Sequence, residues 1–424
     1  MNDFSALARR NRAGEPCALA CVCSAHEDVL IASLGLARET GHPIVIEATS
    51  NQVNQFGGYT GMTPRDFVER VREIAFRIGT DPDLLRFGGD HLGPQAWKGE
   101  APAQAMDKAR VMVRAYVEAG FAKIHLDCSE GCAGEAAQVD DATGAARAVA
   151  LARTCEEHAP DPSRLAYVIG TEVPPPGGVR VSDAHDGIVP TSPGRARTTL
   201  GVYERAFEAA GLGQAWQRVV GLVVQPGLEF GPSGIDRFDI DSPDPLSEAL
   251  RQAPHVCFEA HSTDYQHAPV YRELARRHFA FLKVGPALTF AYRQALYSLD
   301  HLRRWYRADG EDRPDLPALM EQLMREQPGH WRNHYDGEGG ALVRQLHFGH
   351  ADRIRYYWPE RRARAAVADL MRDLSSLRVA DPVVEQYFPP EVIERGKALE
   401  SAEVGWPKAL VHARIQAALR PYLF

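Results

Sequence analysis

The chain has 424 residues, of which 45% are hydrophobic, and a formal net charge of -8 at pH 7. This length fits a barrel of typical size, about 250 residues, together with an extension, and the acidic balance argues against a general nucleic-acid surface, which would be basic. No uninterrupted apolar run reaches the roughly 18 residues of a membrane span, so we expect neither nucleic acid nor a membrane as a partner.

The amino-terminal residues Met1-Asn2-Asp3-Phe4 lack the basic-then-apolar order of a signal peptide. The seven cysteines are an odd number without regular spacing, and several lie in apolar runs, where a free cysteine behaves as a small hydrophobe. Both features predict a reduced, cytoplasmic protein.

Eight short apolar segments alternate with amphipathic stretches. They cover residues 17–23, 43–48, 84–87, 122–128, 165–170, 219–224, 255–261 and 279–285. The stretches between them carry helix-start signals, such as the capping-box patterns of Ser24 with Glu27 and of Thr63 with Asp66. Asp264 is expected to cap the helix after the seventh segment. Eight strand-helix units in series predict an α/β fold, the TIM (β/α)8 barrel.

Two stretches early in the chain combine glycine with polar side chains. A loop over residues 49–61 is rich in carboxamides, among them Asn51 and Gln52, and suits recognition of a polyol; an ordinary surface loop is the alternative. The third strand runs into Gly88-Gly89-Asp90-His91, where an acid and an imidazole can bind a metal and move a proton. The alternative there is a helix-capping Asp and a packed His.

Polar side chains also stand at the carboxyl ends of the other predicted strands. The full set is Glu47, Asp90, His91, Asp127, Glu172, Gln225, Glu259, His261 and Lys283. Functional residues of barrel enzymes lie at these strand ends. A structural network accounts for two or three ionisable groups, whereas a ring of this size favours a functional site.

Histidines mixed with carboxylates suit Zn2+, Mn2+, Co2+ or Ni2+ better than Ca2+. We predict His91 and His261 as metal ligands. Glu172 is the first choice for an additional carboxylate ligand and Glu259 the second. An open coordination position would polarise a substrate carbonyl.

The remaining roles follow from position. The candidates for acid, base or other catalytic work are Asp90, Asp127 and Glu259. The predicted substrate contacts are Asn51, Gln52, Gln225, Ser262 and Lys283. Lys283 lies inside an apolar strand and needs a partner such as a substrate anion or carbonyl. Alternatively it forms a Schiff base, which requires no metal.

Beyond about Tyr306 the chain becomes more charged and helical in pattern. We therefore predict a barrel over residues 1–306 and a helical extension over 307–424, packed on the barrel. The aromatic run Tyr356-Tyr357-Trp358 suits core packing, a lid or an oligomer contact, so a homo-oligomer is possible. The chain contains neither G-x-G-x-x-G after the first strand nor G-x-x-x-x-G-K-[ST], which argues against dinucleotide and P-loop sites.

Several long stretches resemble one known family over essentially the whole chain. They are residues 51–62, 88–94, 123–129 and 170–174. The sequence is similar to the non-catalytic, Z-type subunit of class II D-tagatose-1,6-bisphosphate aldolase. The resemblance implies a TIM barrel and a place in tagatose or galactitol breakdown. It also implies, from class II aldolases, that Asp90 supplies acid/base chemistry and His91 a metal ligand.

The resemblance leaves three functions open. Some relatives are metal-dependent 4-epimerases of fructose-type and tagatose-type ketoses, free or 6-phosphorylated, and this is our leading hypothesis. The alternative is a subunit that stabilises and activates a separate class II aldolase subunit. Some members carry a tagatose 6-phosphate kinase label, which the missing P-loop does not support.

Overall fold

The computed structural model describes residues 2–170, 188–306 and 315–424. Eight parallel strands close into a barrel in the order β1-β10-β9-β6-β5-β4-β3-β2, which confirms the predicted TIM barrel. The described strands are β1 Leu19–Val22, β2 Ile44–Thr49, β3 Leu85–Leu92, β4 Lys123–Leu126, β5 Ala166–Ile169, β6 Val219–Val224, β7 Glu229–Phe230, β8 Ile235–Asp236, β9 Cys257–Ala260 and β10 Phe279–Val284. Their buried apolar runs are typical of parallel strands that are covered on both faces.

Helices surround the barrel and continue to the carboxyl terminus. The described α-helices are α1 Asp3–Arg12, α2 Glu27–Thr40, α3 Pro64–Arg77, α4 Pro102–Ala119, α5 Asp141–His158, α6 Pro193–Ala209, α7 Gly213–Trp216, α8 Ala268–Arg276, α9 Pro286–Arg304, α10 Leu316–Glu326, α11 Gly339–Phe348, α12 Arg361–Ser375, α13 Asp381–Val384, α14 Pro390–Leu399 and α15 Trp406–Leu419. Between β6 and β9 the repeat is modified, because the β7–β8 hairpin and a 3-10 helix replace an α-helix. None of the helices described is long and apolar enough to cross a bilayer.

The helix starts test three predicted caps. The box of Thr63 and Asp66 at α3 is confirmed, with side chain and backbone bonded in both directions. The box of Ser24 and Glu27 is wrong, because α2 begins at Glu27 without a side-chain cap. The prediction for Asp264 is also wrong: its carboxylate accepts from backbone N–H groups at the start of α9, not α8.

An apolar layer fills the amino-terminal end of the barrel. Val45, Cys257 and Phe281 point into it from β2, β9 and β10, and all three are fully buried. Helix α1 closes this end, with the Phe4 ring 6.2 Å from that of Phe281. The charged side chains of the barrel interior therefore lie at the opposite, carboxyl-terminal end.

The helical carboxyl-terminal region predicted from the sequence is present and packs on the barrel helices. Helix α15 lies against α2 and α9, and His412 Nε2 lies 2.9 Å from the Asp28 carboxylate. Tyr357 and Trp358 are buried in the apolar core, as expected for core packing. The predicted domain boundary at 306/307 adjoins residues 307–314, which lie outside the described residues, and stays a prediction.

Tyr422 joins the end of the chain to the barrel mouth. Its buried hydroxyl donates to the Thr263 carbonyl at 2.9 Å, and the Thr263 hydroxyl lies 3.1 Å from it. Replacing Tyr422→Phe leaves a buried carbonyl without this partner, so we expect the free energy of unfolding to fall by about 1–2 kcal/mol. Urea titration measures it. Tyr387→Phe, which removes a bond to an exposed Trp305 indole, should cost less; an equal loss would contradict the prediction.

Candidate metal centre at the mouth of the barrel

Two layers of polar side chains lie above the apolar floor of the barrel. The lower layer holds Glu47, Lys123, Glu259 and Lys283, and the upper layer holds Asp90, His125 and His261. Side chains two positions apart on a strand share a face. Glu47, Glu259 and Lys283 therefore each follow, by two positions, one of the buried residues Val45, Cys257 and Phe281 of the apolar layer. The charged site lies directly above that layer.

A fully buried lysine holds the lower layer together. Lys123 Nζ lies 2.7 Å from Glu47 Oε1 and 2.5 Å from Glu259 Oε2, and all three side chains are 0% exposed. Burial by itself lowers the pKa of Lys123, but the charges of Glu259 and Glu47 outweigh it and raise the pKa above its ordinary value. Gly88 makes room for this group, because a Cβ there would stand 2.7 Å from Glu47 Oε1.

Lys283 connects the lower layer to the upper one. Its Nζ contacts Asp90 Oδ1 and lies 2.9 Å from Glu47 Oε2. Burial opposes the charge, but Asp90 and the neighbouring glutamates hold the pKa of Lys283 well above its ordinary value. A Schiff-base lysine must be a neutral amine. This ammonium therefore suits a hydrogen-bond donor to a substrate oxygen better than a nucleophile.

An irregularity in β3 turns both Asp90 and His91 into the site. Neighbouring residues of a regular strand point to opposite faces. Between Gly89 and Leu92 the register with β4 shifts, and His91 adopts a left-handed backbone conformation with φ 47°. A bulge of this kind re-aims side chains. As a result, both residues line the same pocket.

The two histidines of the upper layer converge with His91. The rings of His91, His125 and His261 lie 5.0–5.2 Å apart, centroid to centroid. Ligand atoms of Asp90, His125, Glu259 and His261 all lie within 4.8 Å of one another, which supports a metal site; this group includes the predicted ligand His261 but not the predicted ligand His91. In a second, adjacent group, the ligand atoms of Cys23, Glu47 and Asp90 also lie within 4.8 Å of one another.

The donor set fits a divalent transition metal. His125 Nε2 is buried and has no hydrogen-bond partner among the residues described, as expected for a ligand nitrogen without its cation. Burial and the nearby charge of Lys283 lower the pKa of His261 to about 3, so its ring is neutral, the form that binds a metal. Imidazoles with carboxylates match Zn2+, Mn2+, Co2+ or Ni2+.

Asp127 orients His91 from behind. Its Oδ2 lies 2.7 Å from His91 Nδ1, and its Oδ1 accepts from the backbone and hydroxyl of Ser129 at 3.1 and 2.6 Å. Burial opposes ionisation, but these hydrogen bonds and the histidine charges lower the pKa of Asp127. A carboxylate on one ring nitrogen, with the other nitrogen turned to the site, is the usual support of a metal-bound histidine.

The other residues predicted for the site have different outcomes. Asn51, Gln52, Ser262 and Lys283 line the pocket at the mouth. Gln225 does not line it; its carboxamide oxygen accepts from the backbone of Gly227 and Leu228 and so folds its own loop. Glu172 lies outside the described residues.

The pocket has one wall that the sequence did not reveal. The space free of protein atoms at this mouth, open solvent included, is about 680 Å3. Arg355 and Tyr356, from the carboxyl-terminal region, line it together with the loop residues Asn51 and Tyr59. No sequence signal connects residues this far apart. His125 was given no role from the sequence, although its spacing of two from Asp127 predicts that both lie on the strand face that lines the barrel.

Glu229 is a further ionisable group beside the pocket that the sequence analysis missed. It is buried next to Phe230, which lines the pocket, and bonds to the side chain of Ser262 and the Phe230 N–H. Burial raises its pKa to about 7. A carboxyl that retains its proton near neutral pH can donate a hydrogen bond toward the pocket wall.

Comparison with known proteins identifies the family. The family model described as "D-tagatose-1,6-bisphosphate aldolase subunit GatZ/KbaZ-like" matches residues 4–424. This chain belongs to that GatZ/KbaZ-like family. The resemblance found in the sequence is thereby confirmed.

Members of the GatZ/KbaZ-like family carry different names. The chain is 46% identical, over 90% of each sequence, to "D-tagatose 6-phosphate 4-epimerase" of Agrobacterium fabrum. It is 42% identical, over 98% of each sequence, to "D-tagatose-1,6-bisphosphate aldolase subunit GatZ" of Klebsiella oxytoca. A crystal structure of "a probable tagatose 6 phosphate kinase" from Sinorhizobium meliloti has a TM-score of 0.86 at 42% identity, covering 96% of this chain and 99% of that one.

If His91, His125 and His261 bind a metal together, removal of any one of them should weaken metal binding. Replacing His91, His125 or His261 by Ala should each weaken Co2+ or Mn2+ binding at least about tenfold, because each removes one imidazole ligand. Calorimetric titration of the chelator-treated chain measures it. His255→Ala, which alters a ring packed on Trp216 below β9, is the control. If His91→Ala retains full affinity, His91 is not a ligand.

The raised pKa of Glu229 predicts that the stability of the folded chain depends on pH. Its carboxyl keeps a proton to about pH 7 when folded, whereas the ordinary value is 4.5. Its contribution to stability is therefore present below about pH 4.5 and is lost as the pH rises through 7. Relative to wild type, Glu229→Gln should gain stability between pH 5 and 8 in urea titrations. The exposed control Glu157→Gln should show no such trend; equal trends would overturn the assignment.

Proposed function

We propose that this chain is a metal-dependent 4-epimerase that interconverts fructose-type and tagatose-type ketoses, or their 6-phosphates, by retro-aldol and aldol steps. The observation that carries the proposal is the convergence of three imidazoles beside Asp90 and Lys283, with His91 and His261 lining a polar pocket and His125 buried next to them. The name of the relative that is 46% identical supports the same reaction.

The proposed metal ligands are His91, His125 and His261, with Asp90 or Glu259 as a carboxylate neighbour. Glu172 stays a candidate from the sequence. A bound Zn2+, Mn2+, Co2+ or Ni2+ ion would polarise the ketose carbonyl and stabilise negative charge on the adjacent oxygens. Lys123 keeps Glu259 ionised and in place, since its ammonium lies 2.5 Å from that carboxylate.

Asp90 is the proposed proton acceptor. It lines the pocket, whereas both oxygens of Asp127 are engaged by His91 and Ser129. Asp90 would remove the proton of the C4 hydroxyl, so that this oxygen becomes an aldehyde carbonyl. The C3–C4 bond then breaks and its electron pair passes into the C2–C3 unit as an enediolate. Removal of the C4 hydrogen itself is disfavoured, because that hydrogen is not adjacent to the carbonyl.

The aldehyde fragment must stay and turn before the bond reforms. Asn51 and Gln52 line the pocket and offer carboxamides to its hydroxyl groups. Lys283 offers an ammonium proton to an oxygen of the reacting centre. The enediolate electron pair then attacks the other face of the aldehyde, and Asp90 returns the proton to the C4 oxygen. Atoms balance, and only the configuration at C4 changes.

A subunit role is the second candidate. Two relatives, 42% and 41% identical over 98% of this chain, are named aldolase subunit GatZ. In this role the chain would stabilise and activate a separate class II tagatose-1,6-bisphosphate aldolase subunit. Co-purification with such a subunit and stimulation of its aldol cleavage test this directly.

The epimerase proposal predicts turnover by the chain alone. Purified protein loaded with each metal should convert fructose 6-phosphate, tagatose 6-phosphate or a free ketose into its C4 epimer. In D2O the product should contain no deuterium at C4, because the C4–H bond never breaks. NMR spectroscopy measures both quantities. Absence of any C4 epimer with every metal overturns the proposal.

Asp90→Asn is the matched variant for this assay. It keeps the shape of the side chain but removes the base, so the rate should fall about 100-fold or more. Arg361→Ala, on the exposed start of α12, should leave the rate unchanged. Metal content measured in parallel separates loss of a base from loss of the metal. Unchanged turnover by Asp90→Asn would assign the proton transfer to another residue.

A further inference from the structure

A short segment of the carboxyl-terminal region reaches over the barrel mouth. The 3-10 helix Arg353–Tyr357 brings Arg355 and Tyr356 to the pocket that also contains Lys283 and His261. Beside this segment, the Tyr59 ring of the 49–61 loop meets the Tyr356 ring edge-on at 5.1 Å. The pocket thus joins a reacting centre in the barrel to a cationic wall supplied by the extension.

The two arginines of this wall have no carboxylate partner. Within residues 2–170, 188–306 and 315–424, no carboxylate oxygen lies within 4.0 Å of a nitrogen of Arg353 or Arg355. The adjacent Asp352 instead accepts from the Thr289 hydroxyl at 2.5 Å and lies 3.7 Å from Arg293. Neither guanidinium therefore forms an ion pair with a described carboxylate, and Asp352 and Asp264 act on Arg355 only at longer range.

Backbone carbonyls hold Arg353 and Arg355 in place instead. Arg353 Nε donates to the His330 carbonyl at 2.6 Å, and Arg355 Nη1 donates to the carbonyls of Ala351 and Asp352 at 2.5 and 3.0 Å. Arg355 Nη2 donates to the Tyr356 hydroxyl at 3.1 Å. Since a guanidinium has five N–H donors, Arg355 keeps donors for a ligand beyond its three bonds to described residues.

Both guanidinium groups stack on the same phenol ring. Arg353 lies 4.5 Å and Arg355 4.6 Å from the Tyr356 ring centroid. Burial alone would raise the pKa of Tyr356, but the two arginine charges outweigh it and lower the pKa to about 8. The phenol therefore reports a positive potential at this wall. The contacts with this ring and with the backbone carbonyls hold the guanidiniums in place, and a planar guanidinium can bind an oxyanion in a bidentate manner.

The usual anion site of a barrel is already filled here. Barrel enzymes often bind phosphate at a helix start in the last βα loops. In this chain Asp264 accepts from the backbone N–H groups of Gly285 and Ala287, at 3.0 and 2.8 Å, at the start of α9. The cationic side chains that line this pocket are Lys283, which is already paired with Asp90 and Glu47, and Arg355.

We propose that Arg355, backed by Arg353 and Tyr356, is the residue that binds the phosphate group on the distal end of a ketose 6-phosphate. The inference rests on the proposed epimerase function and names the specificity residue for the phosphorylated substrate that appears in the name of the Agrobacterium fabrum relative. The distal phosphate binds the extension wall while the carbonyl end lies at the histidines. Arg355 is a specificity residue, and Arg353 and Tyr356 position it.

The test uses the full chain with its metal and inorganic phosphate as the probe, so that binding is measured without turnover. Arg355→Ala should weaken phosphate binding about tenfold or more, and Arg355→Lys, which keeps one charge, should weaken it less. Arg361→Ala, an exposed arginine six positions away, should bind phosphate as wild type does. Calorimetry measures affinity, and thermal unfolding confirms that each variant is folded.

Turnover gives a second readout. Arg355→Ala should raise KM for tagatose 6-phosphate about tenfold or more while leaving KM for free tagatose unchanged. Unaltered phosphate affinity in both Arg355 variants overturns the inference even if the chain is an epimerase. Acetate that competes as well as phosphate shows a carboxylate site and also overturns it. Failure of epimerisation with intact, Arg355-dependent phosphate binding overturns the proposed reaction alone.

Discussion

The buried ion group of Lys123 with Glu47 and Glu259 is the constraint on which the site depends. Burying one unpaired charge would cost several kcal/mol, so each member requires the others. The pairing fixes Glu259, whose other oxygen lies 2.9 Å from His261, and Glu47, whose other oxygen lies 2.9 Å from Lys283. The upper layer of the site is thus oriented by charges that never reach solvent.

The barrel and the extension contribute different parts of the pocket. Strand ends supply imidazoles and carboxylates, held rigidly by the barrel, as expected for groups that must keep a metal geometry. The extension supplies arginines on a short 3-10 segment, attached to the barrel through contacts such as that of Tyr422 with Thr263.

The relatives are named for two kinds of protein, an epimerase and an aldolase subunit, and the corresponding reactions have features in common. An epimerase that opens and recloses a C3–C4 bond and an aldolase that cleaves it share an enediolate, and both suit a cation beside an acid/base carboxylate. A chain that only supported another subunit would have no need of a buried imidazole nitrogen on His125 that has no hydrogen-bond partner among the described residues. The site therefore favours chemistry within this chain over support alone.

The sequence by itself determined the barrel, because eight buried apolar strands separated by helices have one common solution, and it placed Asp90, His91, Glu259, His261 and Lys283 at strand ends. Strand period alone could not show that a bulge turns both Asp90 and His91 inward. Nor could it tell that Gln225 folds its own loop. Only the tertiary structure added His125 to the imidazole group and brought Arg355 to the pocket, because contacts between residues distant in sequence depend on how the elements pack, not on local pattern.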